Sequence, residues 1–243
     1  MREHLDRIVA RIETAARRSG REPGEVTLIG ISKTVPSARV GEAISAGLTH
    51  LGENRVQEAA VKIPELAGML GPAFERVTWH LVGHLQSNKA RRAVELFSVI
   101  HSVDSFALAD RLSRHAVELA RPARVLIQVD LAGEATKHGA VPDGLADLAS
   151  RVRALPGLTL RGLMTLPPLF ENPEDSRPYF RRLRAIRDEL ASGGVDLPDL
   201  SMGMSNDFEH AIEFGATYVR IGSALFAGME LSPDMEGVDS PVG

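Results

Sequence analysis

Short apolar or β-branched runs alternate with longer stretches whose apolar residues recur at helical spacing. The runs at 27–32, 49–52, 78–83, 98–102, 124–130, 159–164, 200–202 and 217–222 read as buried strands. The stretches at 36–46, 53–66, 87–96, 105–120, 143–153, 175–190 and 207–214 read as helices. Pro36 suits a first helical turn, and Asp207 suits a helix start. Gly47 and Gly215 fall just past helix ends, where a left-handed residue closes the last turn. A further helix is predicted over 1–20. There Leu5, Ile8, Val9, Ile12 and Ala15 recur among Arg and Glu, unlike a signal peptide.

Alternating β and α units imply parallel strands joined by helical crossovers. Eight such units within 243 residues predict an α/β chain folded as a single closed (β/α)8 TIM barrel over 1–243, with an extra N-terminal helix. An open doubly wound sheet is the alternative. It lacks a G-x-G-x-x-G after the first strand, where Gly30 stands alone. The segment 232–243, with two prolines, two glycines and acidic residues, is expected to be a frayed tail.

Net charge is −4 and the pI about 6.1, so no basic field invites nucleic acid or acidic membranes. No apolar stretch approaches the roughly 20 residues of a membrane span. Cysteine is absent, which excludes disulfides, thiolate metal sites and cysteine nucleophiles. It fits a reducing compartment, and a cytoplasmic protein is expected. Barrel helices facing water without a large apolar stripe suggest a monomer.

The first strand sets the chemistry. The run from Val26 ends in Lys33, one of only four lysines, at the C-terminal tip of a strand expected to be buried. Burial would lower the ammonium's pKa, and the neutral amine is a nucleophile toward aldehydes. The plainer reading is a strand-end lysine whose flexible stem reaches water. In a barrel the active face collects strand C-termini. The same face would hold Asn54 after the second strand, His84 after the third, Met164 on the sixth, Ser205 and Asn206 after the seventh, and Arg220, Gly222 and Ser223 on and after the eighth. Ser205-Asn206 and Gly222-Ser223 resemble an anion cradle, in which small residues and a helix N-terminus receive a phosphate. Helix capping or a tight turn explains each of them without a ligand. Arg220 and Tyr218 share a strand face and could simply pack. His80 reads as a hydrogen-bonded core histidine. His84 and His138 are loop residues with no partner visible in the sequence, and Glu53 and Glu58 are expected to face solvent. A Schiff-base lysine opposite a phosphate cradle suggests pyridoxal 5′-phosphate (PLP).

Ile31-Ser32-Lys33-Thr34, Gly52-Glu53-Asn54 with Val56-Gln57-Glu58, Trp79-His80 leading to Gly83 and Leu85-Gln86-Ser87-Asn88-Lys89, Arg161-Gly162-Leu163-Met164, Ser201-Met202-Gly203-Met204-Ser205 and Val219-Arg220-Ile221-Gly222 occur in this order. Together they resemble the YggS/PROSC family of PLP homeostasis proteins, related to the barrel domain of alanine racemase. The resemblance runs from about Val26 to Gly228. It implies PLP bound covalently to Lys33 as an internal aldimine, with Asn54 and Met164 lining the pocket. Ser205, Gly222 and Ser223 would hold the phosphate, with Asn206 beside them among the cofactor-binding residues, and Arg220 would face the pyridine nitrogen. The implied function is intracellular PLP (vitamin B6) homeostasis as a carrier or buffer, with PLP-dependent apo-enzymes as receivers. The chain departs from the family at Arg55, where tyrosine is frequent, and at His84, where proline is common. It also departs at Ala135–Gly139, which only loosely follows the family's lysine-glycine loop.

An amino-acid racemase is the alternative. In alanine racemase the opposing acid/base is a tyrosine from a separate β domain, and here Tyr179 and Tyr218 are the only tyrosines. An arginine at the pyridine nitrogen disfavours its protonation and weakens the ring as an electron sink. A lyase or aldolase acting on a phosphorylated sugar through Lys33 is a third reading, disfavoured by the six motifs.

Overall fold

The computed structural model describes residues 1–133 and 138–226. The segment 232–243 and residues Ala135, Thr136 and Lys137 of the loop that departs from the family lie outside the described residues. Eight parallel strands close into one barrel in sequence order. They are β1 (Thr27–Ile31), β2 (His50–Glu53), β3 (Thr78–Leu81), β4 (Val99–Val103), β5 (Ala123–Gln128), β6 (Leu158–Met164), β7 (Asp199–Ser201) and β8 (Tyr218–Ile221). Closure is direct: β1 pairs with β8 in the register Leu28 to Val219, and β2 with β3 in the register Gly52 to His80. The open-sheet alternative is therefore excluded.

The helices follow the predicted order. They are α1 (Arg2–Arg18), α2 (Ser37–Ser45), α3 (Val56–Leu70), α4 (Ala90–Leu96), α5 (Phe106–Glu118), α6 (Leu145–Arg153), α7 (Arg177–Ser192), α8 (Phe208–Glu213) and α9 (Ser223–Phe226). The extra helix α1 buries Leu5, Ile8, Ile12, Ala15 and Ala16, the apolar stripe of its heptad-like spacing. Among the described residues no helix is long and apolar enough to cross a membrane.

The barrel has two cores. The larger lies between the strands and the helical ring, and a smaller one fills the barrel itself with Ile29, Val99, Leu126, Met164 and Tyr218. The barrel interior also takes in polar groups. His80, His101, Ser201 and Arg220 are almost fully buried there. This is unusual for a barrel interior, where bulky branched residues dominate, and each buried polar group must find a hydrogen-bond partner.

Candidate functional site

A cavity of about 390 Å³ opens at the C-terminal end of the barrel. That volume suits a small cofactor. Lys33, Asn54, Ser205, Asn206, Arg220, Gly222 and Ser223 all line it, so seven of the eight sequence-predicted site residues converge. Met164 does not line it. It is fully buried in the inner-barrel core, packed against Ile31 and Leu166, and Leu166 forms the wall instead.

Lys33 is not the buried strand tip that its apolar run suggested. β1 stops at Ile31, and Lys33 sits two residues further on, in an exposed turn. The Ser32 N–H still pairs with the Gly52 carbonyl at 3.0 Å, and the Val35 N–H then closes the turn onto the Ser32 carbonyl at 3.1 Å. Its stem carries the amine to the cavity mouth. What is unusual is the backbone: Thr34 has φ 61°, a left-handed conformation that costs a non-glycine residue roughly 1–3 kcal/mol.

A buried ionic cluster holds that turn in place. Lys62 of α3, 6% exposed, donates to the Ser32 carbonyl at 2.6 Å, to Glu53 Oε1 at 2.7 Å and to Glu58 Oε1 at 2.9 Å. The Ser32 hydroxyl donates to the same Glu53 oxygen at 2.7 Å, and the Thr34 N–H donates to Glu58 Oε1 at 2.7 Å. Glu53 is fully buried and Glu58 is nearly so on its side chain, which corrects the expectation that both face solvent. Burial raises the Glu53 pKa above the usual carboxylate value, against the opposing pull of Lys62. The buried lysine of this site is thus Lys62, and it positions the turn that presents Lys33.

On the far side of the cavity, Ser223 Oγ donates to Ser205 Oγ at 3.2 Å, and the Ala224 N–H reaches the same oxygen at 3.5 Å. α8 and α9 are only six and four residues long, so a helix dipole adds little here and the cradle is one of hydroxyls and backbone amides. The Asp207 carboxylate, which the sequence offers as a helix cap, ties down the loop instead. It accepts from the Met204 N–H at 2.6 Å and from the Ser176 hydroxyl at 2.9 Å. A Cβ on Gly222 would come within 3.3 Å of the Ile31 carbonyl, so the cradle backbone lies tight against β1.

Arg220 is 4% exposed. Its Nη1 donates to Ser201 Oγ at 2.6 Å and its Nη2 to the Thr165 carbonyl at 2.9 Å. Burial lowers its pKa to about 10, a value at which it stays cationic at neutral pH. His80 is the core histidine anticipated, bonded through both ring nitrogens. Tyr218 stands edge-on to His80 and His101 inside the barrel, and Tyr179 packs on Phe170. Neither tyrosine lines the cavity. His84 and His138 do find partners: their rings stack at 3.5 Å, and Asp104 lies 3.6 Å from His84. Asn54 owes its position to Gly83, where any Cβ would collide with the Asn54 backbone carbonyl.

Residues 4–230 match the family described as "Alanine racemase, N-terminal domain". A pyridoxal phosphate homeostasis protein of Aquifex aeolicus is 46% identical over 225 residues, covering 92% of this chain and 96% of that protein. One from Pseudomonas aeruginosa is 44% identical over 228 residues, covering 94% and 95%. The structure of PipY from Synechococcus elongatus with PLP bound is similar with a TM-score of 0.78 and 43% identity, covering 90% of this chain and 99% of that one. Fold, motif order and full-length similarity agree, and the chain belongs to the family of pyridoxal phosphate homeostasis proteins.

Proposed function

We propose that this chain binds PLP covalently through Lys33 and takes part in cellular PLP homeostasis by holding the cofactor and handing it on. One observation carries the reading: a primary amine, a pair of hydroxyls with adjacent backbone amides, and an arginine guanidinium line a single cavity at the C-terminal end of the barrel. The donor set fits the group. Ser205 and Ser223, with the amides around Gly222 and Asn206, would receive a phosphate dianion. Ile31, Val82 and Leu166 offer apolar walls for a flat ring. Arg220 would face the pyridine nitrogen and Asn54 would contact the ring's edge. When bound, PLP supplies a reactive aldehyde and an electron-withdrawing ring. Here Arg220, which donates and does not accept, would keep the pyridine nitrogen unprotonated and so weaken that electron sink.

The carrier reading over a racemase is supported by the lining of the cavity. Among the described residues no tyrosine borders it, so no phenol stands ready to exchange a proton on the face opposite Lys33. PLP-dependent apo-enzymes would be the receivers, and the chain would act as a monomer in the cytoplasm.

The test is reduction of the purified protein with borohydride after incubation with PLP. A pyridoxyl mass on the Lys33 peptide, absent in Lys33→Ala, is expected. Protein that takes up no added PLP, or labelling that persists in Lys33→Ala, overturns the reading. Rapid loss of the α-hydrogen from amino acids in heavy water would favour the racemase instead.

A further inference from the structure

A line of polar groups runs down the inside of the barrel, away from the cavity. Arg220 Nη1 lies 2.6 Å from Ser201 Oγ. Ser201 Oγ lies 2.9 Å from His101 Nδ1, His101 Nε2 lies 2.9 Å from His80 Nδ1, and His80 Nε2 lies 2.9 Å from His50 Nδ1. Ser201, His101 and His80 are fully buried. His50 opens β2 at the N-terminal end of the barrel and is only half-buried. We propose that Ser201, His101, His80 and His50 form a one-directional hydrogen-bond chain that positions Arg220, with all three histidines neutral and carrying their proton on Nε2.

The direction follows from what each group can do. A guanidinium only donates, so Ser201 accepts from Arg220. Ser201 then has one proton to give, and His101 Nδ1 is the acceptor within reach. Were the chain reversed, His101 would donate to Ser201 as well, and the hydroxyl proton would be buried without a partner. With His101 Nδ1 accepting, its Nε2 must donate to His80, and His80 must donate onward to His50. The same direction turns each ring's negative end toward the Arg220 charge, so the dipoles reinforce one another. Tyr218 holds His80 and His101 edge-on at ring distances of 5.6 and 5.4 Å. Burial pushes the His80 and His101 pKa values well below the usual histidine value, helped at His101 by Arg220 and Arg124 and at His80 by its histidine neighbours and Arg124, which favours neutral rings. Removing the chain frees the Ser201 hydroxyl to rotate its proton toward the arginine. The guanidinium is then left with the Thr165 carbonyl as its fixed acceptor.

The role given to Arg220 rests on the PLP reading, but the direction of the chain does not. Imidazole 1H–15N correlation spectra of cofactor-free protein read each tautomer directly. The Nε2–H pattern is expected for His50, His80 and His101 at pH 7, with no protonated ring. Ser201→Ala should disturb the shifts of all three, and Ser201→Thr should restore them. An Nδ1–H tautomer or a charged ring at any of the three overturns the chain, and the wild-type spectrum alone decides this even if a variant fails to fold. On the loaded protein, Ser201→Ala should weaken PLP affinity by about tenfold while borohydride still labels Lys33. An affinity within twofold of wild type removes the positioning role, whereas absent labelling of the wild type would indict the PLP reading instead.

Discussion

Replacing Lys62 by Met tests how the strained Lys33 turn is held. The substitution keeps the volume of the side chain and removes its charge, while the Ser32 carbonyl, Glu53 and Glu58 each lose a donor at 2.6–2.9 Å. Glu53 is fully buried, and its Oε2 already has no hydrogen-bond partner in the protein. Breaking one side of a buried ion pair costs about 3–5 kcal/mol. At about 2–4 °C per kcal/mol for a chain of this size, the melting temperature should fall by roughly 6–20 °C. Trp79 is the sole tryptophan and is buried, so its fluorescence can follow the transition.

The pH dependence of that deficit adds a second check. Glu53 has a raised folded-state pKa, so between the unfolded value of about 4.3 and that raised value the native state binds its proton more tightly than the unfolded chain does. Its contribution to stability is therefore present below that unfolded value and is lost as pH rises through the folded pKa. Without Lys62 the carboxyl is pushed further up, and the variant should recover part of its deficit as the pH is lowered from 8 toward 5. A deficit below about 1 kcal/mol, unchanged across this range, would refute the claim that the cluster is a buried and coupled support. PLP uptake should slow in the variant at a temperature where it is still folded, because Thr34 loses a well-placed Glu58 acceptor and its left-handed conformation is then less firmly held.

Two further outcomes follow from the site. Gly83→Ala places a methyl against the Asn54 backbone, which cannot yield as a flexible side chain would, so a loss of about 1–3 kcal/mol in urea unfolding is expected, together with weaker PLP binding through the displaced Asn54. Asp207→Asn removes the charge that accepts from the Met204 N–H and replaces one acceptor oxygen by a donor. The Ser205–Asn206 loop should loosen and the affinity for inorganic phosphate and PLP fall by about tenfold by titration calorimetry, and unchanged affinity would show that the loop needs no such tie.

Much of the architecture was legible in the chain because both periods were clean. Eight apolar runs separated by helical spacing admit few topologies, and the strand C-termini then name the residues at the mouth. Lys33, Asn54, Ser205, Asn206, Arg220, Gly222 and Ser223 met in one cavity because each follows or ends a strand. Met164 packs into the barrel interior and not along the cavity wall, a facing that one residue of register decides. Lys62 carries a signal in the sequence: it shares the buried stripe of α3 with Ala59, Ile63 and Leu66, and Glu58 precedes it by four.

The amino-acid order by itself determined the barrel, its motif sequence and which residues gather at its mouth, Lys33 among them, since these depend on local periodicity and on which residue types fall at strand ends. Only the tertiary structure decided which lysine is buried. It also decided that Glu53 faces inward, and that His50, His80 and His101, each up to 30 residues from the next along the chain, stand in line beneath Arg220. The physical reason is closure. A hydrogen-bonded line across a barrel interior is made between strands, and its spacing is set by sheet register and stagger, which no single strand contains.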